Sequence, residues 1–276
     1  MLLLTAHIPL NRKADINKKS AIVVKLGGST LGSHDTTLED LVDLQRRGVA
    51  VVVVHGGGQL VSEWLKRHGT APQFVRGLRV TDAETLKVVT AVLAGLVNKE
   101  LVAAIQRLGG KAVGLSCADG GIIQAEIKDA ALGYVGEVAH VDPSALQLLL
   151  GAGYLPVVAP VSVLRNGGDG VMLANMNGDT VAGALAAALG AERLILLTDV
   201  DGIHDGQGKV ISRLTVAEAE ALMSSGAVAG GMLPKLESCL KALSAVNAVR
   251  VVDGRAPHAL LLEMEGKAGG TSVVRA

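Results

Sequence analysis

The chain has 276 residues, enough for one large domain or two tightly joined lobes with a substantial core. Lys plus Arg number 26 and Asp plus Glu number 26, so nothing in the net charge points to nucleic acid or an anionic membrane as a partner. Aromatic residues make up 1% against 49% hydrophobic, which argues against base stacking and leaves Val, Leu, Ile and Ala to build the core.

The elements follow in chain order. Residues 1–10 are apolar, but positive charge follows the run and the run is short, which is wrong for a signal peptide. No apolar stretch in the sequence approaches bilayer length, so a cytoplasmic protein is expected. Residues 21–26 (AIVVKL) read as a buried strand broken by Gly27-Gly28-Ser29. Residues 35–47 carry Leu38, Leu41, Val42 and Leu44 at helical spacing, and Gly48 stops them. Residues 49–54 (VAVVVV) form the most strand-like segment, ended by His55-Gly56-Gly57-Gly58, with a helix through Trp64 to His68 behind it. Thr81-Asp82-Ala83-Glu84 has the form of a capping box opening a long helix toward Gly109-Gly110. A strand at 112–115 comes next, then a hairpin of 122–128 with 134–138.

Asp142-Pro143 reads as an N-cap followed by proline at the first helical position, and 155–159 as a further buried strand. The loose segment RNGGDG at 165–170 marks a boundary. We expect an N-terminal extension at 1–20, a first lobe at 21–168 and a second lobe at 169–276. The helix at 178–189, the strand at 193–198, a capping box at Thr215–Glu218, a helix through Lys235 to Ala245, and strands at 249–252 and 271–274 complete the pattern. Strands alternating with helices predict an α/β three-layer sandwich, with a mainly parallel central sheet and helices on both faces. Cys117 and Cys239 lie far apart without a CxxC partner. They read as small buried thiols rather than a disulfide or zinc site.

Two strands end in glycine clusters, each followed by a helix: Lys25-Leu26-Gly27-Gly28 and His55-Gly56-Gly57-Gly58. Glycine lets backbone N–H groups approach a phosphate closely, and the helix behind it adds its positive end. Neither cluster is a Walker A or GxGxxG motif, which disfavours the P-loop and dinucleotide readings. Lys25 sits just before its loop, within reach of the same anion. Phosphoryl transfer needs positive charge and fixed donors around the moving group, and Lys235 after Gly230-Gly231 could complete a clamp. Lys235 would equally make a solvated surface lysine. Asp179 could hold two lysines and Asn175 a substrate, although Asn or Asp at a helix start is most often a cap. Arg79 is a natural carboxylate partner or a plain surface arginine. The segment Leu197–Ile203 could border a nucleotide or simply turn the chain. His55, at the end of a buried strand, reads as a hydrogen-bonded structural residue rather than an acid–base catalyst.

Taken in order, these segments resemble the N-acetylglutamate kinase family of the amino acid kinase fold. The matching stretches are KLGGS at 25–29, VVHGGG at 53–58, GLRVT at 77–81, LAGLVNK at 93–99, VGLSCADGG at 113–121, GYLPVVAP at 153–160, NMNGD at 175–179, LLTDVDGI at 196–203 and GGMLPK at 230–235. The resemblance implies ATP as phosphoryl donor, with Mg2+ carried by the nucleotide rather than by a protein cage, and N-acetyl-L-glutamate as acceptor. It implies Lys25 and Lys235 on the transferring phosphoryl group and Asp179 organising both. Gly57, Gly58, Arg79 and Asn175 would hold the acyl substrate. Gly27, Gly28, Thr198, Asp199, Gly202, Ile203 and Ala229 would border the nucleotide and its phosphates.

A homodimer is implied, with no nucleic acid and no membrane. Gly178 stands where the family often has Ala. The short, polar 11–20 segment is similar to dimeric members without arginine control. HALLLE at 258–263 instead resembles the C-terminal signature of arginine-sensitive members, so regulation stays open. Kinases for acetylated or carrier-linked aminoadipate, aspartate kinase, uridylate kinase and a catalytically silent sensor on the same fold are the competing readings. The compact GLRVT, the absence of KFGGTS and the presence of both lysines with Asp179 favour acetylglutamate.

Overall fold

The structure is a computed structural model and describes residues 21–27, 36–165, 172–226, 228, 232–243, 246 and 248–275. Gly28, Ala229, Gly230 and Gly231 lie outside the described residues, as do the 1–20 extension and most of the RNGGDG boundary.

The strands in chain order are β1 (Ile22–Leu26), β2 (Val51–His55), β3 (Phe74–Val75), β4 (Leu78–Arg79), β5 (Ala112–Ser116), β6 (Ile123–Ile127), β7 (Gly136–Val141), β8 (Leu155–Ala159), β9 (Val161–Leu164), β10 (Leu173–Asn175), β11 (Arg193–Thr198), β12 (Arg213–Thr215), β13 (Ala248–Asp253) and β14 (Thr271–Val274). The α-helices are α1 (Thr37–Arg46), α2 (Gly58–Arg67), α3 (Ala83–Thr90), α4 (Asn98–Arg107), α5 (Ser144–Gly151), α6 (Gly178–Leu189), α7 (Val216–Ser224), α8 (Met232–Leu243) and α9 (Ala259–Met264). A π-helical stretch, Ala91–Val97, joins α3 to α4.

Eight strands form the central sheet in the order β12-β14-β13-β11-β1-β2-β8-β5. Its pairings are parallel except β13 with β14. The outer half from β5 to β1 comes from the first part of the chain and the half from β11 to β12 from the second, so one continuous sheet spans both expected lobes. A second sheet, β10-β9-β6-β7, contains the expected hairpin of β6 with β7.

Because side chains alternate along a strand, the central sheet buries two apolar faces. Val23, Val52, Val54, Leu194 and Leu196 pack with Val181, Leu185, Leu236 and Ala242 of α6 and α8. Ile22, Val24, Val51, Val53, Ile195 and Leu197 pack on the other face with Leu41, Leu65, Val89, Leu101 and Ile105. This is the three-layer α/β sandwich expected from the alternating pattern. Cys117 and Cys239 are buried in the first cluster, and burial pushes both thiols up.

Three expectations are corrected. The N-cap of α3 is Asp82, which accepts from the Thr85 N–H at 2.7 Å, so Thr81 and Glu84 form no capping box. Thr81 is instead drawn away by tertiary partners described below. Helix α5 begins at Ser144, with Pro143 as its N-cap, and Asp142 accepts from the Ser144 N–H at 2.9 Å. The helical run Ala83–Arg107 has 25 residues and is long and apolar enough, by length and composition alone, to cross a membrane. Leu86, Val89, Val92, Leu101 and Ile105 on it are buried, while Glu84, Lys87 and Glu100 are exposed, which is the division of a core helix lying on a sheet. The capping box at Thr215–Glu218 forms as expected.

Candidate active site

The parallel strands β1, β2 and β11 end side by side, and α6 packs against all three. Lys25 follows Val23 in the alternation and so points to the face that α6 covers. There Lys25 Nζ lies 2.9 Å from Asp179 Oδ1, and Lys235 Nζ of α8 lies 3.3 Å from Asp179 Oδ2. Lys25 and Asp179 are buried, at 8% and 4% exposure. Burial pushes the Asp179 carboxyl upward, but the charges of Lys25 and then Lys235 outweigh it and hold the group below its ordinary value. Two ammonium groups on one carboxylate leave one net positive charge, a receptor for an anion. Asn177 caps α6 through its side chain, which accepts from the Thr180 N–H at 3.0 Å, so the positive end of α6 opens beside this cluster.

A cleft adjoins it, lined among others by Gly56, Gly57, Gly58, Arg79, Asn175 and Gly178. Gly178 links the two: a Cβ there would sit 3.5 Å from Lys25 Cε, so alanine fits at van der Waals contact. Gly57 is different. Its φ is +139°, and a Cβ would come within 2.8 Å of Leu93 Cδ2 on the π-helical stretch. The loop before α2 thus needs glycine for conformation and for packing.

Arg79 is 8% exposed. Its Nη2 donates to the Gly58 carbonyl at 2.7 Å and to Ser62 Oγ at 2.8 Å, and its guanidinium carbon lies 4.7 Å from the Phe74 ring centroid. Its Nη1 is buried without a hydrogen-bond partner among the described residues. Burial holds the guanidinium below its ordinary pKa. A buried donor left unpaired is costly, and a carboxylate is the ligand that would satisfy it. Asn175 Nδ2 donates to Thr81 Oγ1 at 3.0 Å, and Thr81 Oγ1 donates to the Arg79 carbonyl at 2.8 Å. Thr81 therefore ties the two cleft residues together.

Gly27 N–H donates to the Leu197 carbonyl at 3.0 Å, which sets Gly27 beside the end of β11. Thr198 closes β11, with its hydroxyl 2.9 Å from the Val200 carbonyl, and Asp199 follows it. Gly202 has φ +152°, and a Cβ there would meet Val210 Cγ1 at 2.7 Å. Ile203 is buried in the core, and its N–H donates to Thr271 Oγ1 at 2.8 Å. Those two residues stand away from the cleft, whereas Lys25, Asp179, Lys235, Gly57, Gly58, Arg79 and Asn175 gather around it. Sequence reasoning did not single out Phe74, Ser62 or Thr81 as cleft residues. Phe74 sits in the β3–β4 hairpin, whose strands are too short for a period-2 signal. The clue is Arg76-Gly77, whose positive φ angles of 48° and 77° mark a two-residue hairpin turn.

A glycine-lined cleft beside a lysine–aspartate–lysine cluster, at the ends of parallel strands, is the layout of an enzyme that handles a phosphorylated ligand and an acid together. The model of the amino acid kinase family matches residues 20–253, and the chain belongs to that family. Its curated relatives include acetylglutamate kinase from Dinoroseobacter shibae, 44% identical over 276 residues, with 99% of this chain and 94% of the relative covered. Acetylglutamate kinase from Parasynechococcus marenigrum is 49% identical, covering 92% of this chain and 88% of the relative. Among solved structures, smu.665 from Streptococcus mutans UA159 superposes with a TM-score of 0.81 at 27% identity, covering 94% of this chain and all of that one.

Proposed function

We propose that the chain transfers the γ-phosphoryl group of ATP to the side-chain carboxylate of N-acetyl-L-glutamate, forming N-acetyl-L-glutamyl 5-phosphate for arginine biosynthesis. The observation that carries this reading is Asp179 held between Lys25 and Lys235, at 2.9 and 3.3 Å, beside a cleft that ends on the unpaired Arg79 Nη1.

The roles follow from the charges. Arg79 takes the α-carboxylate of the acid. Asn175, its Nδ2 already given to Thr81, has its amide oxygen left to accept from the acetamido N–H. Gly57 and Gly58 line the acid's path, and N–H groups of Gly28 and Gly57 donate to phosphoryl oxygens. Lys25 and Lys235 neutralise the charge that spreads over the equatorial oxygens as the phosphoryl group moves. The carboxylate oxygen attacks phosphorus in line, the bond to the bridging oxygen of ADP breaks, and no proton moves. An acceptor ionised at neutral pH needs no general base. His55 is on the opposite face of β2 from Lys25, which is consistent with a mechanism that has no proton to transfer.

Gly27, Thr198, Asp199 and Ala229 border the nucleotide in this reading. Gly202 and Ile203 contribute only through the backbone, because the first is hemmed in by Val210 and the second belongs to the core. Magnesium bound with the nucleotide would neutralise its phosphates. Around the cluster stand two lysines and an aspartate already paired to both, a donor set suited to the phosphates, with the ion taking its ligands from them and from water. We expect the boundary between the two lobes at residues 168–169, and a cytoplasmic homodimer.

Incubating the protein with Mg·ATP and N-acetyl-L-glutamate, then trapping the acyl phosphate with hydroxylamine, should give the hydroxamate. Product from N-acetyl-aminoadipate and none from N-acetyl-L-glutamate would overturn the substrate assignment.

A further inference from the structure

A buried chain of polar groups runs beneath the second glycine loop, on the face of the sheet away from Lys25. His55 and Asn98 on it are fully buried. Lys99 Nζ lies 2.9 Å from Asn98 Oδ1 and 3.1 Å from the Gly114 carbonyl oxygen. An ammonium group only donates, so the atom it meets on Asn98 is the amide oxygen. The amide nitrogen therefore faces the carbonyls of Val157 at 2.9 Å and Leu115 at 3.2 Å, and His55 Nε2 at 3.1 Å. An amide nitrogen accepts nothing, so a proton on Nε2 would have no partner there. Desolvation keeps the imidazole neutral, with a pKa lowered to about 4, so its single proton is on Nδ1. Nδ1 lies 2.8 Å from the Gly56 carbonyl oxygen, which can only accept. The assignment made from the lysine end is thus the one the glycine end requires. Gly114 leaves room for it, since a Cβ there would lie 2.1 Å from Asn98 Oδ1.

The consequence falls on one peptide plane. In a trans peptide, C=O and N–H point in opposite directions. The His55 ring is on the face of β2 shared with Val51 and Val53, against α4. It holds the Gly56 carbonyl toward that face and so turns the Gly57 N–H toward the other, where Lys25 and Asp179 stand. Among the described residues, nothing accepts from that N–H.

We infer that His55 is a positioning residue: through Nδ1–H it locks the Gly56–Gly57 peptide so that the Gly57 N–H donates to the transferring phosphoryl group, while Asn98 and Lys99 fix its tautomer. What the N–H meets rests on the proposed phosphoryl transfer; the hydrogen-bond chain itself does not.

Two isosteres separate aiming from packing. Asn puts its Nδ2 donor where His Nδ1 was, and Gln reaches only the Nε2 position. His55→Gln should lower kcat at least ~10-fold with KM for the acid nearly unchanged, because a misdirected donor is lost only in the transition state. His55→Asn should stay within about threefold of the wild-type kcat, a partial rescue that follows from the same donor. Equal losses in the two folded variants, or no loss in His55→Gln, would overturn the proposal. A second measurement needs no variant. The imidazole 15N shifts of wild-type His55 at pH 7 should report the neutral, Nδ1-protonated tautomer, and an Nε2-protonated or charged ring would overturn it even if the Gln variant did not fold. Should wild type make no acyl phosphate from N-acetyl-L-glutamate, the substrate reading fails. The positioning role is then decided by the tautomer and by whether Mg·ATP alone shifts the Gly57 amide resonance: an Nδ1-protonated ring with a shifted amide upholds it, and the absence of either overturns it.

Discussion

Lys25 and Asp179 form a buried ion pair whose net worth to the fold is small, because desolvation of two charges offsets most of their attraction. Breaking it from one side is another matter. Lys25 is 10% exposed at its side chain and 2.9 Å from its partner, Lys235 18% exposed and 3.3 Å away. Lys25→Met should therefore destabilise the protein more than Lys235→Met, by roughly 3 kcal/mol against about 1, in urea unfolding. The reverse ranking would show that the more exposed lysine holds Asp179. Both variants should lose about 10²–10³ in kcat, since each removes charge stabilisation from the transition state. At Arg79 the expected loss is of a different kind. Arg79→Lys keeps the charge but not the fork, in which Nη2 holds Gly58 and Ser62 while Nη1 is free for the ligand. KM for the acid should rise about tenfold or more with kcat little changed. A fall in kcat at constant KM would place Arg79 on the phosphoryl group instead.

At the scale of elements, the π-helical stretch Ala91–Val97 and the loop before α2 define each other, because Leu93 occupies the space where a Gly57 side chain would go. Gly57→Ala should cost about 1–3 kcal/mol, from the clash and from φ +139°. Adding Leu93→Ala should recover part of that loss but not all, since it removes only the clash. Full recovery in thermal unfolding would mean that the backbone angle carries no strain.

Much at this scale was readable in the residues themselves. Alternation along residues 21–26 placed Lys25 opposite Leu26, and the glycine clusters marked the strand ends at which the cleft lies. The misplacements share a cause. Thr81 and Asp82 are both good caps, and only tertiary partners decide between them: Thr81 is claimed by Asn175 and the Arg79 carbonyl, which leaves Asp82 for Thr85. β3 and β4 have two residues each, too few for a period to show, so the hairpin that presents Arg79 to Phe74 was invisible. His55 was legible as structural, but not the direction of its hydrogen bonds, which depend on a residue 43 positions away.

For the whole molecule, acid should unfold the protein from a higher pH than carboxylates alone would dictate. His55 has its pKa lowered from 6.5 to about 4 by burial. Above 6.5 the imidazole is neutral in both folded and unfolded chains and contributes nothing to the pH dependence. Between 6.5 and about 4 the unfolded chain takes up a proton that the folded one refuses, so stability falls with pH across that window, by about 3 kcal/mol in all. Asp179, with its carboxyl held below the ordinary value by the two lysines, adds stabilisation that is fully present above 3.8 and is lost as the pH drops through its folded pKa. His258 acts in the opposite sense. Its Nδ1 lies 2.7 Å from Asp40 Oδ1, which raises its pKa, so its stabilisation is full below 6.5 and is lost as pH rises. The two histidines can be separated by measuring the urea midpoint from pH 8 to pH 5. In His55→Asn the decline below pH 6.5 should flatten, whereas His258→Ala should leave that decline as it is and remove the gain in stability on going from pH 8 down to 6.5. An unchanged slope in His55→Asn would mean that the buried ring takes up its proton without disturbing the loop above it.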